Sequence, residues 1–291
     1  MLVALQGDQR IVASVAQKGK DYNCPGCNCS VILKKGEIVV HHFAHKPPTE
    51  CVWAKGETIA HLESKSTLAD ALLARGLRVE LEHVVESMHG DRRADVMLWS
   101  PVKAQRIAFE LQHTLIALED IERRANSYAK SGIAQMWIPF MGSSIWQKGK
   151  LLKTGEWFVA EYSARPFERW IHGFNQGEGM WMYDPKKKMF WLGKMEGHQK
   201  YVSETTYYTE GGDENYGGGY YRYSKRYKEL KLNGPFNAQS LKVELKTRKA
   251  FSRGGLNWPA GRLARFVVTE QKSEELMLTS SDSQPAPAPH G

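Results

Sequence analysis

Cysteine is scarce in this chain of 291 residues: there are four, Cys24, Cys27, Cys29 and Cys51, and none lies further on. A disulfide framework needs pairs spread through a small oxidised domain, so that class is excluded. Long apolar runs are also missing. Nothing approaches the ~18 consecutive apolar residues that a membrane-crossing helix requires. Gly7, Asp8, Gln9 and Arg10 stand where a signal peptide would carry its apolar run, so a cytoplasmic protein with no membrane partner is expected. The glycines at 211–212 and 217–219 are not followed by Gly-Lys-Ser/Thr, which excludes a phosphate-binding loop of that type. No internal repeat is visible.

The hydrophobic share is 42%, enough to bury a core. The length allows about two domains. Lys and Arg number 40 against 32 Asp and Glu, a net charge of +8. The excess is uneven: residues 221–272 hold thirteen Lys/Arg and three Glu, a net of +10, so the rest sums to −2. A solvated basic face is one reading. A phosphate-contacting surface is the other, favoured by the interleaved Tyr221, Tyr223, Tyr227, Phe251 and Trp258.

Four segments are expected. Residues 1–52 form a small β module, with strands near Ile11-Val12-Ala13 and Val31-Ile32-Leu33. A turn at Lys34-Lys35-Gly36-Glu37 would return the chain through Ile38-Val39-Val40. Residues 53–142 alternate between helical and strand periodicity. A helix at about 57–75, stopped by Gly76, precedes strands at 77–85, 93–99 and 105–112, with a turn at His89-Gly90-Asp91. A helix at 117–130 and a strand at 133–140 follow. That order predicts an α/β core. Residues 143–272 are rich in Trp, Tyr and Gly and then basic, and predict a β-rich accessory region. A hairpin at 180–192 there would place Trp181, Phe190 and Trp191 in a core. The Ser-, Pro- and Ala-rich tail 273–291 reads as disordered.

Cys24-Pro25-Gly26-Cys27 is a turn that presents two thiolates to one ion, half of a tetrahedral zinc site. The remaining ligands are sought among Cys29, His41, His42, His45 and Cys51. The favoured set is Cys24, Cys27, His45 and Cys51, with His42 as the substitute. Cys29 falls two residues past the knuckle. Reduced structural cysteines beside surface histidines are the competing reading. A unit of about 50 residues needs a staple, which favours Zn²⁺.

Glu110 sits inside an apolar strand, where an ionised carboxylate is costly unless it is paired or metal-bound. It shares a face with Gln112. A hairpin would bring Asp95 beside it. On the preceding helix Glu57, His61 and Lys65 share a face at i, i+4 and i+8, either as a solvated stripe or as part of an oxygen-rich site for Mg²⁺. Asp95 has a bland alternative in a salt bridge to Arg92 or Arg93.

The ordered set resembles the competence protein CoiA-like family within the PD-(D/E)xK nuclease superfamily. The matching pieces are the Cys24–Cys27 knuckle, His42-Phe43-Ala44-His45, Cys51, Glu57 with His61 and Lys65, Arg93-Ala94-Asp95-Val96, Glu110-Leu111-Gln112, and Arg124 with Tyr128. They cover about residues 20–140. The resemblance implies a restriction-endonuclease-like core and a metal-dependent deoxyribonuclease that processes incoming or recombining DNA, with recombination or competence proteins as further partners. It implies that Asp95 and Glu110 hold Mg²⁺ or Mn²⁺, with Glu57 completing the shell. Gln112 stands where the wider superfamily keeps a Lys, and CoiA-like sequences share that departure. Lys65 would either supply the missing charge or point elsewhere. His61 would serve in catalysis or phosphate contact, or simply bond a carboxylate. Arg124 and Tyr128 would contact the DNA backbone, or face solvent from a helix packed on the sheet. The alternative function is a non-catalytic, DNA-binding or partner-recruiting zinc protein on a degenerate nuclease fold.

Overall fold

The computed structural model describes residues 1–51, 53, 57–86, 92–101 and 105–268. The turn expected at His89-Gly90-Asp91 and the tail 273–291 lie outside the described residues. The chain opens with five short antiparallel strands: β1 (Val3–Gln6), β2 (Gln9–Val12), β3 (Tyr22–Asn23), β4 (Ser30–Lys34) and β5 (His42–His45), in the order β2-β1-β3-β4-β5. Ala4, Tyr22, Val31 and Phe43 fill one small core. The expected turn at 34–37 is corrected. The returning strand is His42–His45 rather than Ile38-Val39-Val40, and it pairs Leu33 with Phe43 and Val31 with His45. Burial decides the register: Phe43 is enclosed against Tyr22 at 5.0 Å, whereas Ile38 is 95% exposed.

Helix α1 (Ile59–Leu73) starts where the Thr58 hydroxyl accepts the backbone N–H of His61. It buries Leu62, Lys65, Leu68, Ala69 and Leu72. Gly76, at φ +72, ends the turn that follows. Strands β6 (Arg78–Val85), β7 (Arg92–Trp99) and β8 (Arg106–Gln112) form an antiparallel meander. Helix α2 (Leu118–Lys130) then crosses over to β9 (Ala134–Pro139), which runs parallel to β8 and is buried along its whole length. This is the expected mixed α/β order. Leu68 and Leu72 of α1 join Val96, Phe109 and Met136 on one side of the sheet. Tyr128 of α2 meets Met97 and Ala108 on the other.

The second half builds α3 (Ser143–Lys148), β10 (Lys150–Leu151), β11 (Trp157–Tyr162), α4 (Pro166–Phe174), β12 (Met180–Asp184), β13 (Met189–Val202), β14 (Thr205–Tyr208), β15 (Glu214–Gly217) and β16 (Tyr220–Phe236). Five of these strands form a second sheet, β10-β11-β16-β13-β12. The β12–β13 hairpin pairs Trp181 with Leu192, and Trp181, Phe190 and Trp191 are buried as expected. The chain then returns through β17 (Leu241–Arg248), β18 (Phe251–Arg253), β19 (Leu256–Trp258) and β20 (Gly261–Val268).

Strands β17 and β20 extend the central sheet to the order β17-β20-β9-β8-β7-β6. Phe266 of β20 stacks on Phe109 at 5.8 Å and meets Trp181 and Phe190 edge-on at 5.5 Å each. The basic stretch therefore also supplies core. Among the described residues no helix is long and apolar enough to cross a membrane. Phe266→Ala should cost about 3–5 kcal/mol of global stability. Urea denaturation tests this: a loss below ~1 kcal/mol would show that β20 is not integral to the core.

Candidate active site and metal centre

The N-terminal centre is built by the turn after β3, the strand β5 and the segment that leaves it. Cys24, Cys27, His45 and Cys51 bring their ligand atoms within 4.8 Å of one another. Cys24 Sγ lies 3.8 Å from Cys51 Sγ, and Cys27 Sγ lies 3.3 Å from His45 Nε2. Tetrahedral zinc, with bonds of about 2.3 Å to sulfur and 2.0–2.1 Å to nitrogen, sets ligand atoms about 3.5–3.8 Å apart. The donor set therefore fits Zn²⁺. The Gly26 N–H donates to Cys24 Sγ at 3.3 Å, as a thiolate acceptor would require. Burial, the largest effect, pushes the free Cys24 thiol up to about 12. A cation reverses that preference by stabilising the thiolate. His42 is placed elsewhere: its Nδ1 lies 2.9 Å from the Val40 carbonyl. Cys29 is exposed and donates to the Cys27 carbonyl at 3.6 Å.

The second centre lies where α1 begins and where β7 and β8 separate. The β7–β8 pairing runs from Trp99↔Arg106 to Val96↔Phe109. Beyond it Asp95 accepts the Leu111 N–H at 2.9 Å through its carboxylate. The same oxygen, Oδ2, lies 3.1 Å from His61 Nε2, and His61 Nδ1 lies 3.5 Å from Glu57 Oε1. Glu57, His61 and Asp95 thus converge, with ligand-capable atoms within 4.8 Å. Burial pushes Asp95 up, but the His61 ring and the Lys65 charge outweigh it and hold the group well below the usual carboxylate range.

Lys65 is fully enclosed. Its Nζ donates to Glu57 Oε1 and to Glu82 Oε1, both at 2.6 Å. Burial alone would lower its pKa, but the surrounding carboxylates raise it above the ordinary value, so it stays charged. The ammonium is a buried counter-ion and faces no solvent. Glu82, which sequence reasoning missed, adopts φ +52 inside β6 and is completely buried. An acidic residue between Leu81 and Val84 in a strand was the available signal. Burial pushes Glu82 up, but Lys65 and Arg93 pull it down to about 2.

Glu110 takes a different place. One of its oxygens accepts from Arg124 and the other from the buried Tyr128 hydroxyl. Among the described residues the convergent metal-capable group is Glu57, His61 and Asp95, without Glu110. Burial pushes Glu110 up to about 7, against Arg124 and with the added push of the Asp95 charge. Arg124, 26% exposed and with its guanidinium over the Trp137 ring, and the buried Tyr128 both bond this carboxylate. On α2, Ile121, Ala125 and Tyr128 are buried, and Arg124 stands at the margin of that face. Gln112 Nε2 donates to the Thr114 carbonyl at 2.7 Å.

The two centres sit next to each other in the chain, as the known families divide it. The model of the competence protein CoiA nuclease-like domain matches residues 57–209, and that of the CoiA N-terminal domain matches residues 5–54. The chain belongs to the competence protein CoiA family. The Competence protein CoiA of Bacillus subtilis (strain 168) is 30% identical over 122 residues, which is 42% of this chain and 32% of that protein. The matched stretch thus spans about a third of that relative's length. The N-terminal match takes in all four Cys/His residues of the first centre, and the nuclease-like match takes in Glu57, His61, Lys65, Asp95 and Glu110.

This CoiA-family chain also couples its two centres. A Cβ on Gly26 of the knuckle would fall 2.3 Å from the Trp53 ring, so glycine lets that ring cover the turn. Arg93 lies over the same ring at 4.6 Å and reaches Glu57 Oε1 at 3.4 Å. Arg93 and His113 are further site neighbours that sequence reasoning did not assign. The His113 ring meets Phe140 edge-on at 4.9 Å, and its Nδ1 lies 3.5 Å from the Thr58 hydroxyl. Arg93 Nη1 has no hydrogen-bond partner among the described residues.

Two outcomes are expected. Cys51→Ser should lower the zinc content of the purified protein well below one ion per chain, as read by elemental analysis. An unchanged content would remove Cys51 from the ligand set. Glu82→Gln should cost about 3–5 kcal/mol at pH 7, because Lys65 loses a buried partner. Glu82 stabilises the fold above its ordinary value of 4.5, and this contribution fades as pH falls through about 2. The gap between parent and variant in denaturation should therefore narrow on acidification. A gap independent of pH would break the assignment.

Proposed function

We propose that this chain is a metal-dependent DNA nuclease with a PD-(D/E)xK-like core and a zinc-stapled N-terminal module, acting on incoming or recombining DNA in competence. The observation that carries this reading is the convergence of Asp95, His61 and Glu57 at the fork between β7 and β8. Two carboxylates and an imidazole form a donor set suited to Mg²⁺ or, given the nitrogen, to Mn²⁺. A divalent cation held there would neutralise charge on a scissile phosphate and lower the pKa of a water.

The chain's own residues supply the rest. Lys65 and Glu82 fix Glu57 from beneath, so that Glu57 cannot swing away. Arg93, 20% exposed, sits between Glu57 and the Trp53 ring, and it takes the place of the motif lysine that Gln112 does not provide. Glu110, which burial pushes above the usual carboxylate range, stands nearby and is held in place by Arg124 and Tyr128. Recombination or competence proteins are the expected macromolecular partners, and the cytoplasm the expected compartment. The second reading, a DNA-binding protein without catalysis, draws on two observations: Gln112 in place of lysine and Glu110 already occupied by Arg124 and Tyr128.

The test is cleavage of supercoiled plasmid, single-stranded and branched DNA with Mg²⁺, with Mn²⁺ and with neither. Asp95→Ala and His61→Ala should each lower the rate by about 100-fold or more. Binding without cutting under every condition would favour the second reading. Cutting that survives Asp95→Ala would place the chemistry elsewhere.

A further inference from the structure

Beyond Gly197 of β13 and Lys228 of β16 no third strand among the described residues pairs with either. There β13 and β16 continue alone as a two-stranded ribbon, pairing Gln199 with Tyr223, Lys200 with Arg222 and Tyr201 with Tyr221. Side chains alternate between faces along a strand, so Tyr201, Tyr221 and Tyr223 share one face while Lys200 and Arg222 share the other. The three tyrosines are 46%, 67% and 69% exposed. Large rings left open to water in this way need a reason.

Three features show that the face is built. Tyr201 and Tyr221 pair at 5.0 Å. The Tyr223 ring lies over Gly197, where a Cβ would approach it to 2.8 Å, so the glycine leaves room for the ring to rest on the ribbon. Lys200 and Arg222 are directly opposed like charges, an arrangement that weakens a β ribbon. Neither they nor Lys225 make a side-chain ion pair or hydrogen bond with another described residue.

We propose that this ribbon is a binding arm for single-stranded DNA, whose bases stack on Tyr201, Tyr221 and Tyr223 while the long side chains of Lys200 and Arg222 reach round the ribbon's edges to the phosphates. Cations without a partner among the described residues complement a polyanion. The rings select the single strand, because in a duplex both faces of nearly every base are already stacked. Tyr221 and Tyr223 stand about 6.6–6.8 Å apart along the strand. That is about twice the 3.4 Å rise per base of stacked DNA, so the fitting strand is extended and unstacked. The tip of the arm carries Glu204, Glu210, Asp213 and Glu214, which turn phosphates away and confine contact to the shaft. This proposal rests on the DNA-directed part of the function proposed above and not on its hydrolytic part.

The test uses the full chain without added divalent cation and a fluorescent oligothymidylate of about 20 nucleotides, read by anisotropy. The Tyr201→Ala/Tyr221→Ala/Tyr223→Ala protein should bind about tenfold or more weakly, with less than about twofold change for a duplex of equal length. The corresponding triple Phe protein should bind like the parent, because its rings still stack. Lys200→Gln/Arg222→Gln should flatten the log–log salt dependence by about 1.4. Parent-like affinity in the alanine protein, or equal losses for single strand and duplex, would overturn the proposal. So would a changed sedimentation coefficient that made the ribbon an interface between copies. Plasmid cleavage is read in parallel, so failure of the hydrolytic reading and failure of the arm show separately.

Discussion

The enclosed ammonium of Lys65 is the interaction on which this structure turns. A charged side chain without solvent is tolerated only when its surroundings neutralise it, and here Glu57 and Glu82 do so at 2.6 Å each. That one requirement fixes three elements against one another. It draws Glu57 to the head of α1, holds Glu82 inward from β6 at a backbone conformation few non-glycine residues adopt, and sets the helix in register with the sheet. Glu82 also accepts the Val3 N–H at 3.3 Å, and Arg10 donates to the Glu82 carbonyl at 3.0 Å. The N-terminal sheet is thereby tied to the same point.

The cysteine knuckle and the acidic site thus share a wall. Gly26, Trp53, Arg93 and Glu57 form a continuous line of contacts from one to the other. A disturbance at the knuckle would reach Glu57 through the seat of Arg93 on the indole ring. On the opposite side of the sheet, Arg124 and Tyr128 stabilise Glu110 within an apolar strand, where an unpaired carboxylate would be costly. The two layers of helix therefore perform different electrostatic tasks: α1 frames the convergent group, and α2 supports the neighbouring acid.

Much of this was legible in residue order. The knuckle, His45 and Cys51 were readable because zinc ligands have restrictive chemistry and spacing, and the structure brings these four together. The helix, meander, helix and strand were readable because their periodicities are strong. Glu57 and His61 were readable as one helix face, but Asp95 was expected beside Glu110 with Glu57 completing that group; its convergence with His61 and Glu57, without Glu110, was not readable. Less accessible were the partners. Arg124 and Tyr128 look like surface groups at i, i+4 until the sheet opposite them is known to present Glu110. Arg262 and Arg265 give β20 the look of a basic surface, and only pairing with β17 and β9 shows that Ala264 and Phe266 face one core and Leu263 another on the opposite side.

Residue order was enough for the chemical inventory: three cysteines and a histidine near the start that could hold a metal ion, acids spaced along a helix and two strands, an α/β order of elements and a basic, aromatic second half. These follow from local rules of spacing and composition. Which charges meet depended on the three-dimensional packing. Lys65 became a buried counter-ion, Glu110 paired across to α2, and the C-terminal strands entered the central sheet. The physical reason is that charge pairing and sheet edges are settled by desolvation between segments far apart in the chain, such as Lys65 with Glu82 or β20 with β9, and no local pattern carries that information.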